Sequence, residues 1–95
     1  MHPSTTVVAS KDQVAADIRG EMVILDLKSG AYYGLNSMGT IVWHLIQAPT
    51  QVSQIREAIL AEYDVEPAQC EQDLLQLLDE LANAKLVEIV NEQVQ

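Results

Sequence analysis

Three short apolar stretches in the first third of the chain predict a β-meander. Residues 14–18 (VAADI), 21–27 (EMVILDL) and 31–35 (AYYGL) are rich in β-branched, aromatic and other apolar side chains, a composition typical of strands. They are separated by Arg19-Gly20 and by Lys28-Ser29-Gly30, and both sequences are typical of hairpin turns. The second stretch is apolar at both alternating sets of positions, so we expect it to be the middle strand, covered on at least one face.

After Asn36 the apolar positions recur with a period of 3.6 residues, which predicts helices. The first helix should be capped by Asn36 or Ser37 and closed by Pro49. The second should be capped near Thr50 or Ser53. The apolar stripes of these two helices comprise Met38, Ile41, Val42, Leu45 and Ile46 in the first, and Val52, Ile55, Ile59 and Tyr63 in the second.

The third predicted helix has an unusually wide apolar surface. It should start at Pro67, whose missing N–H has no cost in a first helical turn, and run to about Lys85. Its apolar arc is wider than packing against a single neighbour requires. One stripe consists of Cys70, Leu74, Leu77 and Leu81, and an adjacent stripe of Leu75, Leu78 and Ala82.

The two ends of the chain are less regular. Residues 6–9 (TVVA) should form a further strand or extend the first one, and residues 86–90 (LVEIV) a short strand or an extended tail. The pattern as a whole predicts an α+β fold resembling a winged helix-turn-helix, with a three-stranded antiparallel β-meander followed by three α-helices. At 95 residues we expect one domain, 1–95, with a core over about residues 6–90.

The charge balance disfavours nucleic acid as a partner. Five basic and fourteen acidic residues give a net charge of −9, and eight of the acids lie between residues 57 and 80. Such a surface repels a phosphate backbone. We interpret these acids mainly as the solvated face of surface helices, with electrostatic steering of a basic partner as a secondary interpretation.

The sequence also predicts a cytoplasmic location. No apolar run approaches the roughly 20 residues that a membrane-spanning helix needs. The first residues, MHPSTTVV, lack the basic start and apolar core of a signal peptide. We therefore expect no membrane partner.

Side chains that could carry out chemistry are few and isolated. His44 has no serine or cysteine partner in a recognisable motif, and a single histidine on an amphipathic helix is more often a surface residue than a catalytic base. Cys70 is the only cysteine, and together with His2 and His44 it forms no spaced ligand set for a metal. The glycines form no phosphate-binding loop. We expect neither an enzyme nor a bound metal or cofactor.

The third strand of the meander, residues 31–35, is a candidate binding element. Its outer edge has no predicted neighbour, and neither a charge nor a proline blocks it. A groove between this strand and the third helix would offer backbone hydrogen bonds on one wall and leucine-lined pockets on the other. In the alternative interpretation, the first strand of the meander, the LVEIV segment or another chain covers this edge, and the extra leucines complete the core.

Several motifs, in this order, resemble the PqqD-like family, the recognition elements of pathways that modify ribosomally synthesised peptides. The resemblance covers about residues 14–87. The motifs are an apolar strand ending at Asp26, YYGLN at 32–36, Ile-Val-Trp in the first helix, EYDVEP at 62–67, and DLLQLL at 73–78 with a later LV. The paired tyrosines and the length are most similar to the separate leader-binding proteins of lasso-peptide pathways.

The resemblance implies a non-catalytic protein that binds the leader peptide of a precursor as an added antiparallel strand. It would present this leader to a separate leader protease and then to a cyclase. It also implies that a conserved Tyr and Pro of the leader enter pockets between the third strand and the last helix. The implied walls are Ala31, Tyr32, Tyr33, Gly34 and Leu35 on the strand, and Cys70, Asp73, Leu74, Leu77 and Leu81 on the helix.

Alternation along the third strand assigns its side chains to two faces. Tyr33 and Leu35 share one face and should point toward the helices, whereas Tyr32 lies on the other face. Gly34 has no side chain, which permits close approach of a second backbone. We expect Trp43 in the core.

Two other functions remain open at this point. A winged-helix DNA-binding protein would need a basic recognition helix, but the second helix contains only Arg56 and the third only Lys85. A small structural or assembly subunit, or a protein-interaction module, would pair with itself through the same strand edge. We expect a monomer rather than a dimer.

Overall fold

The computed structural model describes residues 1–19 and 21–91, which form two three-stranded antiparallel sheets and three helices. The predicted α+β class is confirmed. The strands are β1 (Thr6–Ala9), β2 (Gln13–Ile18), β3 (Glu21–Asp26), β4 (Tyr32–Leu35), β5 (Thr50–Gln51) and β6 (Val87–Asn91). The helices are α1 (Ser37–Leu45), α2 (Val52–Glu62) and α3 (Pro67–Asn83).

The predicted meander is present as the sheet β2-β3-β4, with β3 in the middle. Met22 and Ile24 of β3 are buried on the face that packs against the helices. Val23 and Leu25 occupy the opposite face and are only half buried. This explains why β3 is apolar at both alternating sets of positions, although helices cover only one face of the sheet.

The second sheet joins the two ends of the chain. Its order is β5-β1-β6, so the TVVA segment forms a further strand but does not extend β2. Val7 in β1 is fully buried. At the end of β1, the N–H of Ala9 donates to the carbonyl of Ile46, and the N–H of the following residue, Ser10, donates to the carbonyl of Leu86. These bonds direct the chain away from β2. The LVEIV segment supplies β6, in agreement with the strand alternative.

Helix α1 connects the meander to the core. Asn36 is its N-cap, as predicted, and the Asn36 Oδ1 atom accepts a hydrogen bond from the Gly39 N–H at 2.9 Å. One turn later, the buried hydroxyl of Thr40 accepts a hydrogen bond from the backbone N–H of Met22 at 3.1 Å. Trp43 is 2% exposed and belongs to the core.

The predicted cap of α2 is wrong. The N-cap is Gln51, and its N–H donates to the side-chain oxygen of Gln54 at 3.1 Å. Thr50 lies in β5, and its hydroxyl is positioned to donate to the carbonyls of Leu45 and Ala48 rather than to cap the helix. Ser53 is already inside the helix. Pairing of β5 with β1 therefore decides where α2 begins.

The apolar surface of α3 is divided differently from the prediction. The buried stripe consists of Cys70, Leu74, Leu78 and Leu81. Leu75 and Leu77 are half buried on the two flanks of this stripe. The helix ends at Asn83 rather than near Lys85, because Lys85 has a φ of 65°, outside the right-handed helical region. Each flank thus presents a leucine beside the core, and only the flank with Leu77 faces β4.

We predict that Thr40→Val destabilises the fold by about 1–3 kcal/mol, because it leaves the buried Met22 N–H without an acceptor while conserving the side-chain volume. The free energy of unfolding should be measured by urea denaturation. Ser37→Ala, an exposed change in the same helix, is the control and should alter stability by at most about 0.5 kcal/mol. Equal stability of the two variants would contradict a structural role for this hydrogen bond.

Candidate functional site

The turn between β3 and β4 sets the orientation of β4. The Asp26 N–H donates to the carbonyl of Ala31 (2.9 Å), and the Gly30 N–H donates to the carbonyl of Asp26 (2.8 Å). Gly30 has a φ of 75°, which glycine adopts without steric cost. The Asp26 carboxylate accepts hydrogen bonds from the Ser29 hydroxyl (2.8 Å) and the Lys28 N–H (3.0 Å), and these bonds hold the pKa of Asp26 below its ordinary value. The carboxylate is therefore ionised at neutral pH and closes the turn.

Every second residue of β4 turns its backbone groups toward β3, because hydrogen bonding alternates along an antiparallel pair. The carbonyl of Ala31 is bonded to β3, so the same orientation recurs at Tyr33 and Leu35. Tyr32 and Gly34 lie between these positions. Their N–H and C=O groups therefore point away from β3, toward the outer edge of the sheet.

The outer edge of β4 is open. Within residues 1–19 and 21–91, no strand pairs with it. The alternative interpretation of the sequence placed β2 or β6 on this edge, but β2 pairs with β3 and β6 pairs with β1. The four outward-facing backbone groups of Tyr32 and Gly34 are thus available to a further strand.

A groove runs beside this edge, between β4 and α3. This β4–α3 groove encloses about 400 Å³. Its lining consists of Tyr32, Tyr33, Gly34, Leu35, Leu77, Glu80 and Leu81. Leu35 and Leu81 are buried at its floor, Tyr33 packs against the core, and Tyr32 is 72% exposed on the outer face of the sheet. The tyrosines therefore point to opposite faces, as the alternation predicts.

The groove continues toward the start of α3 into a second cavity of about 310 Å³, the α1–α3 pocket. The pocket is lined by Asn36, Ser37, Met38, Ile59, Tyr63, Val65, Gln69, Cys70 and Asp73. A shallow depression joins the two cavities and shares Leu77 and Glu80 with the groove, and Met38 and Asp73 with the pocket. Groove, depression and pocket follow one another along α3, and we call the three together the channel.

Most of the predicted wall residues lie in this channel. Six of them line the β4–α3 groove (Tyr32, Tyr33, Gly34, Leu35, Leu77, Leu81) and two line the α1–α3 pocket (Cys70, Asp73). Ala31 precedes β4, in the turn described above. Leu74 is 0% exposed in the core and supports the channel from beneath. The structure therefore places Leu74 below the surface of the channel.

The α1–α3 pocket is apolar inside, with a carboxylate at its rim. Burial raises the pKa of the Cys70 thiol, which is therefore protonated at neutral pH. The Asp73 carboxylate accepts a hydrogen bond from the Gln69 side chain at 2.9 Å. The pocket can accommodate an apolar side chain, and its thiol is not activated as a nucleophile.

Eight residues that line the groove or the pocket were not foreseen from the sequence as part of a site: Asn36, Ser37, Met38, Ile59, Tyr63, Val65, Gln69 and Glu80. Glu80 follows Leu77 by three positions, so both occupy one helix face, and this spacing could have indicated it. Met38 lies in the first turn of α1, directly after the YYGLN segment. Tyr63 and Val65 reach the pocket through the α2–α3 connection, and no local pattern predicts how that connection folds.

The part of the chain that the structure describes contains no group of three or more metal-ligating side chains arranged to hold an ion. It also contains no helix with the length and apolar character needed to cross a membrane.

Comparison with known proteins agrees with the fold. The profile of the family described as "Coenzyme PQQ synthesis protein D (PqqD)" matches residues 21–87. The chain belongs to the PqqD family. No match was found among curated protein sequences.

Two solved structures are similar along nearly their whole length. The first, "TbiB1 in Complex with the TbiA(beta) Leader Peptide", is 35% identical with a TM-score of 0.79, over 93% of this chain and 99% of that one. The second, "Lasso peptide synthetase B1 complexed with the leader peptide", is 25% identical with a TM-score of 0.73, over 86% and 96% of the two chains. Both of these proteins bind a leader peptide.

Proposed function

We propose that this protein binds the leader peptide of a lasso-peptide precursor as a fourth strand added antiparallel to β4. One observation carries the proposal: the open edge of β4 faces a leucine-lined channel in a chain 35% identical to a protein bound to a leader peptide. Backbone hydrogen bonds to Tyr32 and Gly34 would supply affinity for any extended peptide. The channel would select among peptides by their side chains.

The energetics of such an interaction are favourable but moderate. A short peptide loses conformational freedom when it becomes a strand, and this cost reduces the gain from its contacts. An added strand with two filled apolar pockets should offset that cost. We expect a dissociation constant on the order of 10 nM to 1 µM.

The proposed role is capture and presentation without catalysis. A separate leader protease and then a cyclase would act on the bound precursor, and the protein would work in the cytoplasm as a monomer. The raised pKa of Cys70 supports this view, because the one thiol that lines the channel is protonated at neutral pH. The purified protein should leave the mass of the precursor unchanged until the protease is added.

Binding of DNA is a weaker alternative. A recognition helix needs exposed basic side chains, and the one basic residue of α2, Arg56, donates to the Glu71 carboxylate at 2.8 Å. Self-pairing through β4 would use the same open edge as the leader. In that case the leader peptide should convert a dimer into a monomer in size-exclusion chromatography, whereas the proposed monomer should keep its oligomeric state.

We predict that Leu77→Asp abolishes leader binding, because it places an uncompensated charge in the apolar wall of the β4–α3 groove. Binding should be measured by calorimetry with the synthetic leader. Leu75→Asp is the matched control: Leu75 is also half buried on α3, but on the opposite flank. The control should lose similar stability and retain wild-type affinity. If folded Leu77→Asp binds as tightly as the control, the proposed channel is wrong.

We also predict that Gly34→Pro weakens leader binding at least about tenfold, because proline removes an outward-facing N–H and cannot pair at that edge position. Gly34→Ala is the control. It keeps the N–H, and a Cβ at this position meets no atom within 4 Å. Circular dichroism should accompany the titrations. Equal affinities for the two folded variants would exclude strand addition at Gly34.

A further inference from the structure

The channel is not uniform in charge along α3. Asp73 and Glu80 lie on its helix wall, and Glu80 lines both the β4–α3 groove and the depression beside it. Beyond Tyr33 the channel opens into a polar cleft lined by Asp12, Asp26, Lys28, Ser29, Tyr33, Asn83, Ala84 and Lys85. Two acidic side chains therefore lie along the middle of the channel, and two of the five basic residues lie at one end, beside Asp12 and Asp26.

Two of these charged groups are available to a ligand. Glu80 and Lys85 are exposed, and neither forms an ion pair within residues 1–19 and 21–91. The other charged groups are already engaged: Lys28 pairs with Asp12 at 3.1 Å, the Asp26 carboxylate is bonded within its own turn, and the Asp73 carboxylate accepts from the Gln69 side chain at 2.9 Å. One unpaired carboxylate and one unpaired ammonium thus follow each other along the channel.

The direction of a bound peptide determines the order in which it meets these charges. The start of α3 lies near Asn36, after the end of β4, and its end lies near Ser29 and Tyr33, at the start of β4. Helix α3 therefore runs antiparallel to β4. A peptide that is antiparallel to β4 runs in the same direction as α3 and passes Glu80 before it reaches Lys85.

We propose that Glu80 and Lys85 determine the specificity of the channel by the order of charge along the peptide: a Lys or Arg first, and an Asp or Glu toward the C-terminal side. This inference rests on the proposed leader binding and names the chemistry of the peptide. Glu80 lies three residues before the end of α3, and Lys85 lies in the turn that follows the helix. An extended peptide covers this distance in about two to three residues, so its two charged residues should be that far apart. A peptide with the reversed order would face like charges at both positions.

The proposal should be tested by selection from a display library of random peptides of about 15 residues, which extend to about 50 Å and exceed the 34 Å length of the protein. The wild-type protein should enrich peptides in which a basic residue precedes an acidic one at this spacing. The enriched peptide, and the same peptide with its two charges exchanged, are then synthesised and titrated by fluorescence anisotropy. The exchanged peptide should bind about tenfold more weakly at low salt, and this difference should shrink at high salt.

The double variant Glu80→Lys with Lys85→Glu should reverse this preference. Its control is Glu62→Lys with Lys11→Glu, which makes the same changes at exposed positions outside the channel. The control should keep the wild-type preference. The proposal would be overturned if the Glu80 and Lys85 changes left the charge preference unaltered. It would also be overturned if the enriched peptides showed no charge order.

The selection also separates this inference from the proposed function. The enriched peptides could bind Gly34→Ala but not Gly34→Pro and yet show no charge order. This result would support strand addition and overturn the role of Glu80 and Lys85. Failure to enrich any peptide, or equal binding to the two Gly34 variants, would overturn both.

Discussion

The pairing register between β3 and β4 is the constraint on which the proposed binding site depends. It turns the backbone groups of Tyr33 and Leu35 inward and those of Tyr32 and Gly34 outward. A slip of one residue would exchange these roles and would also move the Leu35 side chain out of the core. The turn that holds the register is local: Gly30 supplies the left-handed conformation, and ionised Asp26 binds the Ser29 hydroxyl and the Lys28 N–H. A few turn residues thus determine what an incoming strand would meet.

Helix α3 supplies the second requirement of the proposed site, an apolar wall whose side chains are not fully buried in the core. Its central stripe of Cys70, Leu74, Leu78 and Leu81 is buried, so the leucines on either side are left half buried at the surface. On one flank, Leu77 faces the open edge of β4. Backbone groups and apolar surface therefore lie side by side, although neither β4 nor α3 forms a binding site alone.

The parts of the fold that depend on residues close together in the sequence could be predicted. The meander follows from alternation and hairpin turns, and the N-cap at Asn36 and the start of α3 at Pro67 follow from residue preferences. The second sheet could not be predicted, because Val7 in β1 pairs with Ile89 near the other end of the chain. The cap at Gln51 was missed for the same reason: Thr50 is a better cap by preference, but its pairing with Val7 places it in β5.

The strand wall of the candidate site could be predicted from the sequence, whereas the helix wall and the α1–α3 pocket could be predicted only in part. The strand wall follows from one unpaired edge, and it includes Tyr32 and Gly34. The helix wall was ambiguous, because paired leucines produce two adjacent stripes on α3, and only tertiary packing decides that Leu74 is buried and Leu77 is not. The α1–α3 pocket depends on Tyr63 and Val65 in a connecting segment, whose conformation no periodicity encodes.

Amide hydrogen exchange of β4, measured residue by residue by NMR with and without the synthetic leader peptide, tests the central claim most directly. In the free protein, the Tyr33 amide should be protected because it is bonded to β3, whereas the amides of Tyr32 and Gly34 should exchange rapidly. Saturation with the leader should protect Tyr32 and Gly34 and leave Tyr33 nearly unchanged. Bound leader without new protection at Tyr32 and Gly34 would contradict the account, because the peptide would then occupy some other surface.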